Sequence, residues 1–171
     1  PDVAMAALRE YYQRGAANWN VRDHIPLSAF TMQAHRGAGD LAPEGSREAF
    51  ELVRPLGCIP EAALRCTKDG VIVSFPANNF ARILPTAPVE LKKKGVADLT
   101  YPEIEKLDVG SFRHEKFAGQ RMINLSEMVR LLKAHPERSL YIDIKKVDFH
   151  QLAAETVDVH PQLILASTKY D

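Results

Sequence analysis

A chain of 171 residues is long enough for one ordinary domain with a real hydrophobic core. Its 22 basic and 22 acidic side chains cancel, so no global field draws it to nucleic acid or to an anionic membrane surface. No apolar run approaches the roughly 20 residues that a transmembrane helix needs. The chain starts at Pro1 without a methionine and shows no signal peptide, so a processed or trimmed N-terminus is expected and the compartment stays open.

Taken in chain order, residues 2–18 carry the apolar spacing of an amphipathic helix, followed by the loop NWNVRDHIP. Residues 28–35, SAFTMQAH, are predicted as a strand. A helix from about Ser46 to Leu56 follows, with Ser46 as N-cap, Glu48 and Glu51 near its positive end, a stop or kink at Pro55 and closure at Gly57. CIPEAALRC is an apolar strand, and Asp69-Gly70 in TKDG signals a hairpin into VIVSF. The two cysteines, Cys58 and Cys66, flank that strand. Its eight residues of rise hold them about 26 Å apart, against the roughly 7 Å a disulfide tolerates, so two buried, unpaired thiols are expected.

From Pro76 to about Gly119 the text changes to Pro-, Asn-, Lys- and Gly-containing segments around one short helix. LTYPEIEKLD gives that helix a capping box, Thr100 to Glu103, with Pro102 in the first turn. The stretch reads as an insertion, with Lys92 to Lys94 a solvated face and Asp98, Arg113, His114 and Lys116 at the surface. The alternation then resumes: LSEMVRLLKAH as a helix capped by Asn124 or Ser126, SLYIDIKKV as a strand, DFHQLAAETVDVH as a helix and QLILAST as a strand. Alternating strands and helices predict a parallel sheet with outer helices, of α/β type.

In parallel α/β folds reactive groups gather at the carboxyl ends of strands. The first strand ends in His35-Arg36 and the second carries Glu61, whose burial without a partner is costly. The later strand presents Asp143 and Lys145 two residues apart, hence on one face; as a bland alternative they form an ion pair inside a barrel. An imidazole, a guanidinium, an ammonium and two carboxylates at neighbouring strand ends suit phosphodiester hydrolysis. Carboxylates can hold a divalent cation, Arg and Lys can hold phosphoryl oxygens, and an imidazole can move a proton or attack phosphorus.

The words AHRG (34–37), APEG-SREAFELV (42–53), PEAALRCTKDGVIVSF (60–75), DLTYPEIEKLDVGSF (98–112), KFAGQRMINLSEMVRLL and LYIDIK run in the right order from residue 31 to 147. On these residues the sequence resembles the glycerophosphodiester phosphodiesterases. The resemblance implies a (βα)8 TIM barrel, of which this chain encodes about the first half; the first 30 residues, which hold the N-terminal helix and loop (1–27), add nothing to it. The barrel domain would occupy 28–171, with an insertion at about 77–119 after the second strand's hairpin. It also implies a divalent cation, Ca²⁺ or Mg²⁺, and hydrolysis of glycerophosphodiesters to glycerol 3-phosphate and an alcohol. His35 falls on the family's first catalytic histidine, Arg36 and Lys145 on phosphate-holding positions, and Glu61 and Asp143 on metal-ligand positions. The last of these is usually a glutamate. Glu44 falls in a Pro-Glu-Asn motif, a support behind the site, whose asparagine is Gly45 here.

The departures cluster. The family's Glu-x-Asp reads Glu61-Ala62-Ala63, and its His-Asp after the hairpin reads Pro76-Ala77. With the hairpin centred on Asp69-Gly70, facing residues sum to about 139, which sets Ala63 opposite Pro76. Loss of a general acid or base costs roughly 10² to 10⁴ in rate, and loss of a carboxylate weakens the hold on a cation. Very weak or no turnover by the family mechanism is therefore expected. A non-catalytic protein binding a phosphodiester or glycerol phosphate is one alternative. A barrel fragment that self-associates through an open edge is another.

Overall fold

The computed structural model describes residues 6–7, 9–10, 13, 21–26 and 29–167. Most of the helix expected over 2–18 lies outside the described residues. The chain divides into two compact units, Pro1–Thr31 and Met32–Asp171. In the first, the loop expected at NWNVRDHIP is corrected: it holds a helical turn, α1 (Val21–His24).

The second unit alternates as the periodicity predicts. Strand β1 (Met32–Ala34) is shorter than the stretch 28–35 expected for it. Helix α2 (Arg47–Val53) begins where the Ser46 hydroxyl accepts the Ala49 N–H, and buries Ala49, Phe50 and Val53. At Pro55 it tightens into a 3₁₀ turn, Arg54–Leu56, closed by Gly57. β2 (Cys58–Cys66) and β3 (Ile72–Ser74) form the hairpin. α3 (Val89–Lys93) and α4 (Tyr101–Ile104) are short helices within residues 76–120, two where the sequence suggests one. The Thr100–Glu103 capping box forms as expected. Asn124, not Ser126, caps α5 (Leu125–Ala134) by accepting the Glu127 N–H. β4 (Leu140–Lys146), α6 (Phe149–Glu155) and β5 (Leu163–Ser167) complete the order. The expected helix over 148–160 divides because the Thr156 hydroxyl bonds back to the Leu152 carbonyl. Pro161 then leaves only a 3₁₀ segment, Val157–Gln162.

The strands β1-β2-β4-β5 run parallel in that order, with β3 antiparallel to β2. Period-two alternation sorts their side chains. Ala62, Leu64, Leu140, Ile142 and Ile144 join Phe50, Leu125, Met128, Leu132 and Leu152 in one core beneath the helices. Fully burying each large aliphatic there contributes about 1.5–3 kcal/mol. The opposite face carries Glu61, Ala63, Tyr141, Asp143 and Lys145. A second core, with Val73, Phe75, Phe80, Val96, Leu99 and Ile104, holds residues 76–120 against β3. The helix-backed parallel strands are an arc of a (βα)8 TIM-type barrel.

Two expectations need correction. The hairpin pairs Leu64 with Ser74, Arg65 with Val73 and Cys66 with Ile72, a sum of 138. Gly70 at φ 89° makes the loop three residues long: its N–H reaches the Thr67 carbonyl, while the Thr67 N–H donates to the Val71 carbonyl. Ala63 therefore faces Phe75, whose N–H donates to the Ala63 carbonyl at 2.8 Å, and Pro76 lies one step beyond. Both cysteines are unpaired, as the strand length requires, but half-exposed, since they stand at the two ends of β2.

Candidate functional site

The carboxyl end of β1 and Glu61, which lies in the first half of β2 one residue past the Ala34–Pro60 pair, bring the first predicted groups together. Immediately after β1 the chain turns sharply, and Arg36 (φ 57°) and Ala38 (φ 28°) both adopt left-handed conformations that non-glycine residues avoid. Bonds on both sides hold Arg36 in place. Its N–H donates to Glu61 Oε2 at 2.8 Å, and its carbonyl accepts the Gly45 N–H at 2.9 Å. His35 Nε2 stands 3.7 Å from the same Glu61 oxygen, with its imidazole 74% exposed. Glu61 itself is buried, so the β1 turn supplies the partner its carboxylate requires.

Among the described residues Glu44 is the other buried carboxylate, its side chain only 3% exposed. Arg36 Nη1 donates to its Oε2 at 3.1 Å, and Arg82 Nη2 donates to Oε1. Burial pushes the Glu44 carboxyl up, but the hydrogen bonds from Arg82 and then Arg36 outweigh it and hold it below the usual carboxylate range. Beside them opens a cleft of about 520 Å³, bordered by His35, Arg36, Asp40 and Glu44.

Asp143 and Lys145 lie on the same sheet face, their carboxylate and ammonium 2.5 Å apart. Ala63 is the register partner of Asp143, whereas Glu61 pairs with Tyr141, one two-residue step back. A side chain at 63 is thus the link between Glu61 and Asp143, and alanine gives that link no oxygen. Among the described residues no three His, Cys, Asp or Glu side chains are grouped closely enough to hold a metal. A Ca²⁺ ion takes six to eight oxygens. The donor set does not fit a cation held by protein ligands alone.

Gly45 and Pro76 meet. A Cβ built on Gly45 would stand 2.9 Å from Ser74 Oγ and 3.3 Å from Pro76 Cδ, and the Ser74 hydroxyl is buried without a hydrogen-bond partner. Two of the altered positions are therefore neighbours, and Ala77 packs beside them on the second core.

Three arginines escaped the sequence reading. Arg82 reaches Glu44 as described. Arg65 points from β2 to the Phe75 carbonyl (3.0 Å) and Asn78 (2.9 Å); burial lowers its guanidinium while nearby Asp143 raises it, with burial prevailing. Arg113, expected at the surface, instead tucks in and donates to the Gly39 carbonyl at the rim of the cleft. Long side chains reaching from irregular segments leave no periodic signal.

This arrangement has known relatives. The model of the Glycerophosphoryl diester phosphodiesterase family matches residues 35–169. The glycerophosphodiester phosphodiesterase of Caldanaerobacter subterraneus subsp. tengcongensis is 35% identical over 103 residues, 58% of this chain and 39% of that protein. The crystal structure of glycerophosphodiester phosphodiesterase from Agrobacterium tumefaciens superposes with a TM-score of 0.71 at 23% identity, covering 81% of this chain and 58% of that one. An Oleispira antarctica phosphodiesterase, solved in complex with the product sn-glycerol-3-phosphate, gives 0.64 at 22% identity, covering 82% and 58%. The chain thus spans less than two thirds of each of these relatives. With the match beginning at His35 and running through β5, the chain belongs to the glycerophosphoryl diester phosphodiesterase family.

Proposed function

We propose that this chain is a glycerophosphodiester phosphodiesterase homologue whose strand-end site grips the phosphate of a glycerophosphodiester but hydrolyses it slowly. The observation that carries the reading is the exposed His35 imidazole 3.7 Å from the buried Glu61 carboxylate, with Arg36 locked beside it. In this reading Arg36 and Lys145 hold phosphoryl oxygens as cationic donors. His35, oriented by Glu61, is the group able to move a proton or attack phosphorus. No step is routed through a metal, because Ala63 leaves Glu61 and Asp143 without the oxygen that would join them. Pro76 offers no proton to the leaving alcohol, which is why the rate is expected to be low. The substrate class comes from the family, and the Oleispira relative's product, sn-glycerol-3-phosphate, has the matching chemistry.

The test is release of glycerol 3-phosphate from glycerophosphocholine, with Ca²⁺ or Mg²⁺ supplied, against a His35→Ala control. Slow release that disappears in the control is the expected result. Release no greater than the control would remove the hydrolase reading. The alternative then preferred is a protein that binds the phosphate ester without cleaving it, favoured by Ala63 and Pro76 themselves.

A further inference from the structure

Arg82 does not border the cleft, yet it holds one oxygen of the buried carboxylate whose other oxygen holds Arg36. The order of dependence follows from burial. Glu44 sits with its side chain 3% exposed, so each oxygen needs a donor from the protein. Arg36 satisfies Oε2 and Arg82 satisfies Oε1. Removing Arg82 leaves Oε1 buried without a charged partner, and the carboxyl then gains by taking up a proton or by turning toward water. Either outcome slackens its grip on the Arg36 guanidinium, 34% exposed and able to take other rotamers.

The backbone cannot compensate. Arg36 already sits in a left-handed conformation held by Glu61 and by Gly45, which fixes its Cα but not the end of a long, rotamer-rich side chain. A guanidinium that recognises a phosphate by two parallel hydrogen bonds depends on its plane being set beforehand. Arg82 comes from the segment just after Phe80, which is fully buried in the second core and packs tilted against Phe75 with ring centroids 4.9 Å apart. That anchor fixes the backbone from which the half-exposed Arg82 side chain reaches the Glu44 carboxylate.

We infer that Arg82 is a positioning residue for phosphate recognition, acting through the shared Glu44 carboxylate to hold the Arg36 guanidinium ready at the cleft. The inference rests on the reading of Arg36 as a phosphate-holding residue. Arg82 then belongs to the binding machinery without touching the ligand, and residues 76–120 contribute to affinity through it.

A double-mutant cycle read by calorimetry with glycerol 3-phosphate, on the full chain, tests this. Arg36→Met is expected to weaken binding ten- to hundredfold, as loss of charge-assisted hydrogen bonds does, within order of magnitude. Arg82→Met is expected to weaken it on the order of five- to tenfold, and Arg82→Lys to restore most of the loss. In the Arg36→Met background, Arg82→Met is expected to add nothing. Additive losses, or Arg82→Met binding as the unaltered chain does while Arg36→Met does not, would overturn the positioning role alone. Unchanged affinity in Arg36→Met, or no binding by the unaltered chain, would overturn the functional reading and this inference with it. Should Arg82→Met fail to fold, Glu44→Gln completes the same cycle, since it removes the carboxylate through which Arg82 acts.

Discussion

Glu61 accepts the backbone N–H of Arg36 at 2.8 Å, across 25 residues of sequence, so a carboxylate on β2 fixes the left-handed turn that ends β1. This bond serves the fold and the site together. It satisfies a buried charge, and it fixes the backbone of Arg36 beside His35, the two residues proposed to meet a ligand.

Replacing Glu61 therefore has a structural cost apart from any chemistry. Glu61→Ala leaves the Arg36 N–H without its acceptor in a strained turn, and is expected to lower stability by about 1–3 kcal/mol. Glu61→Gln keeps an acceptor of the same reach and is expected to lose less than half of that. Urea unfolding of the two variants, compared at constant slope, checks the order.

Gly45 reports on a second coupling. At φ 67°, with Ser74 Oγ 2.9 Å and Pro76 Cδ 3.3 Å from a built Cβ, any side chain there is both strained and crowded. Gly45→Ala is expected to destabilise the chain by roughly 1–2 kcal/mol. Pairing it with Pro76→Ala should return part of the loss, because one of the two close contacts is removed. Thermal midpoints of the single and double variants decide, and strict additivity would contradict the coupling. The asparagine expected at 45 from the family resemblance is thus hard to combine with Pro76 in this backbone.

Acid sensitivity has an identifiable source at Asp108. Asp108 accepts hydrogen bonds from the Gly110 N–H (2.9 Å), the Ser111 N–H (3.0 Å) and the Ser111 hydroxyl (2.6 Å). Burial tends to raise its carboxyl, and these bonds, with one from the Gly119 N–H, pull it down to about 2. A carboxyl lowered in the folded state stabilises it above the unfolded value, and that contribution fades as pH falls toward the folded value. Asp108→Ala should lower the thermal midpoint by roughly a few degrees near neutral pH. The difference from the unaltered chain should shrink as pH approaches about 2. A constant difference across that range would contradict the assignment.

Much of the frame is legible in the sequence because it rests on local rules. Ser46, Asn124 and the Thr100–Glu103 pair cap their helices, and CIPEAALRC is a strand at its full extent. What escapes is set by geometry that local text does not encode. Asp-Gly serves both two- and three-residue hairpin loops, so the register slips from 139 to 138 on the conformation of Gly70. Arg36 adopts a backbone more often given to glycine or asparagine, and the distant Glu61, together with the Gly45 N–H, holds it there. Arg82 and Arg113 reach the first loop across 38 and 74 residues, from segments without period. The strand-end groups could be named from sequence, whereas the arginines that brace them could not.

Restoring chemistry should require the missing groups as a pair. Ala63 is the register partner of Asp143 and shares its face with Glu61, so Ala63→Asp places a carboxylate between the two. With Pro76→His supplying an imidazole, glycerol 3-phosphate release is expected to rise by about 10² or more. Chelation of divalent cations should abolish the increase. Either substitution alone should recover little, and a full recovery from one of them would contradict the account.

The most direct test is a titration of glycerol 3-phosphate into ¹⁵N,¹³C-labelled protein, following the His35 imidazole and the Arg36 amide and guanidinium signals. The account predicts saturable shifts at both residues, reduced in Arg36→Met. Saturable shifts confined to other parts of the chain, with His35 and Arg36 unmoved, would contradict it.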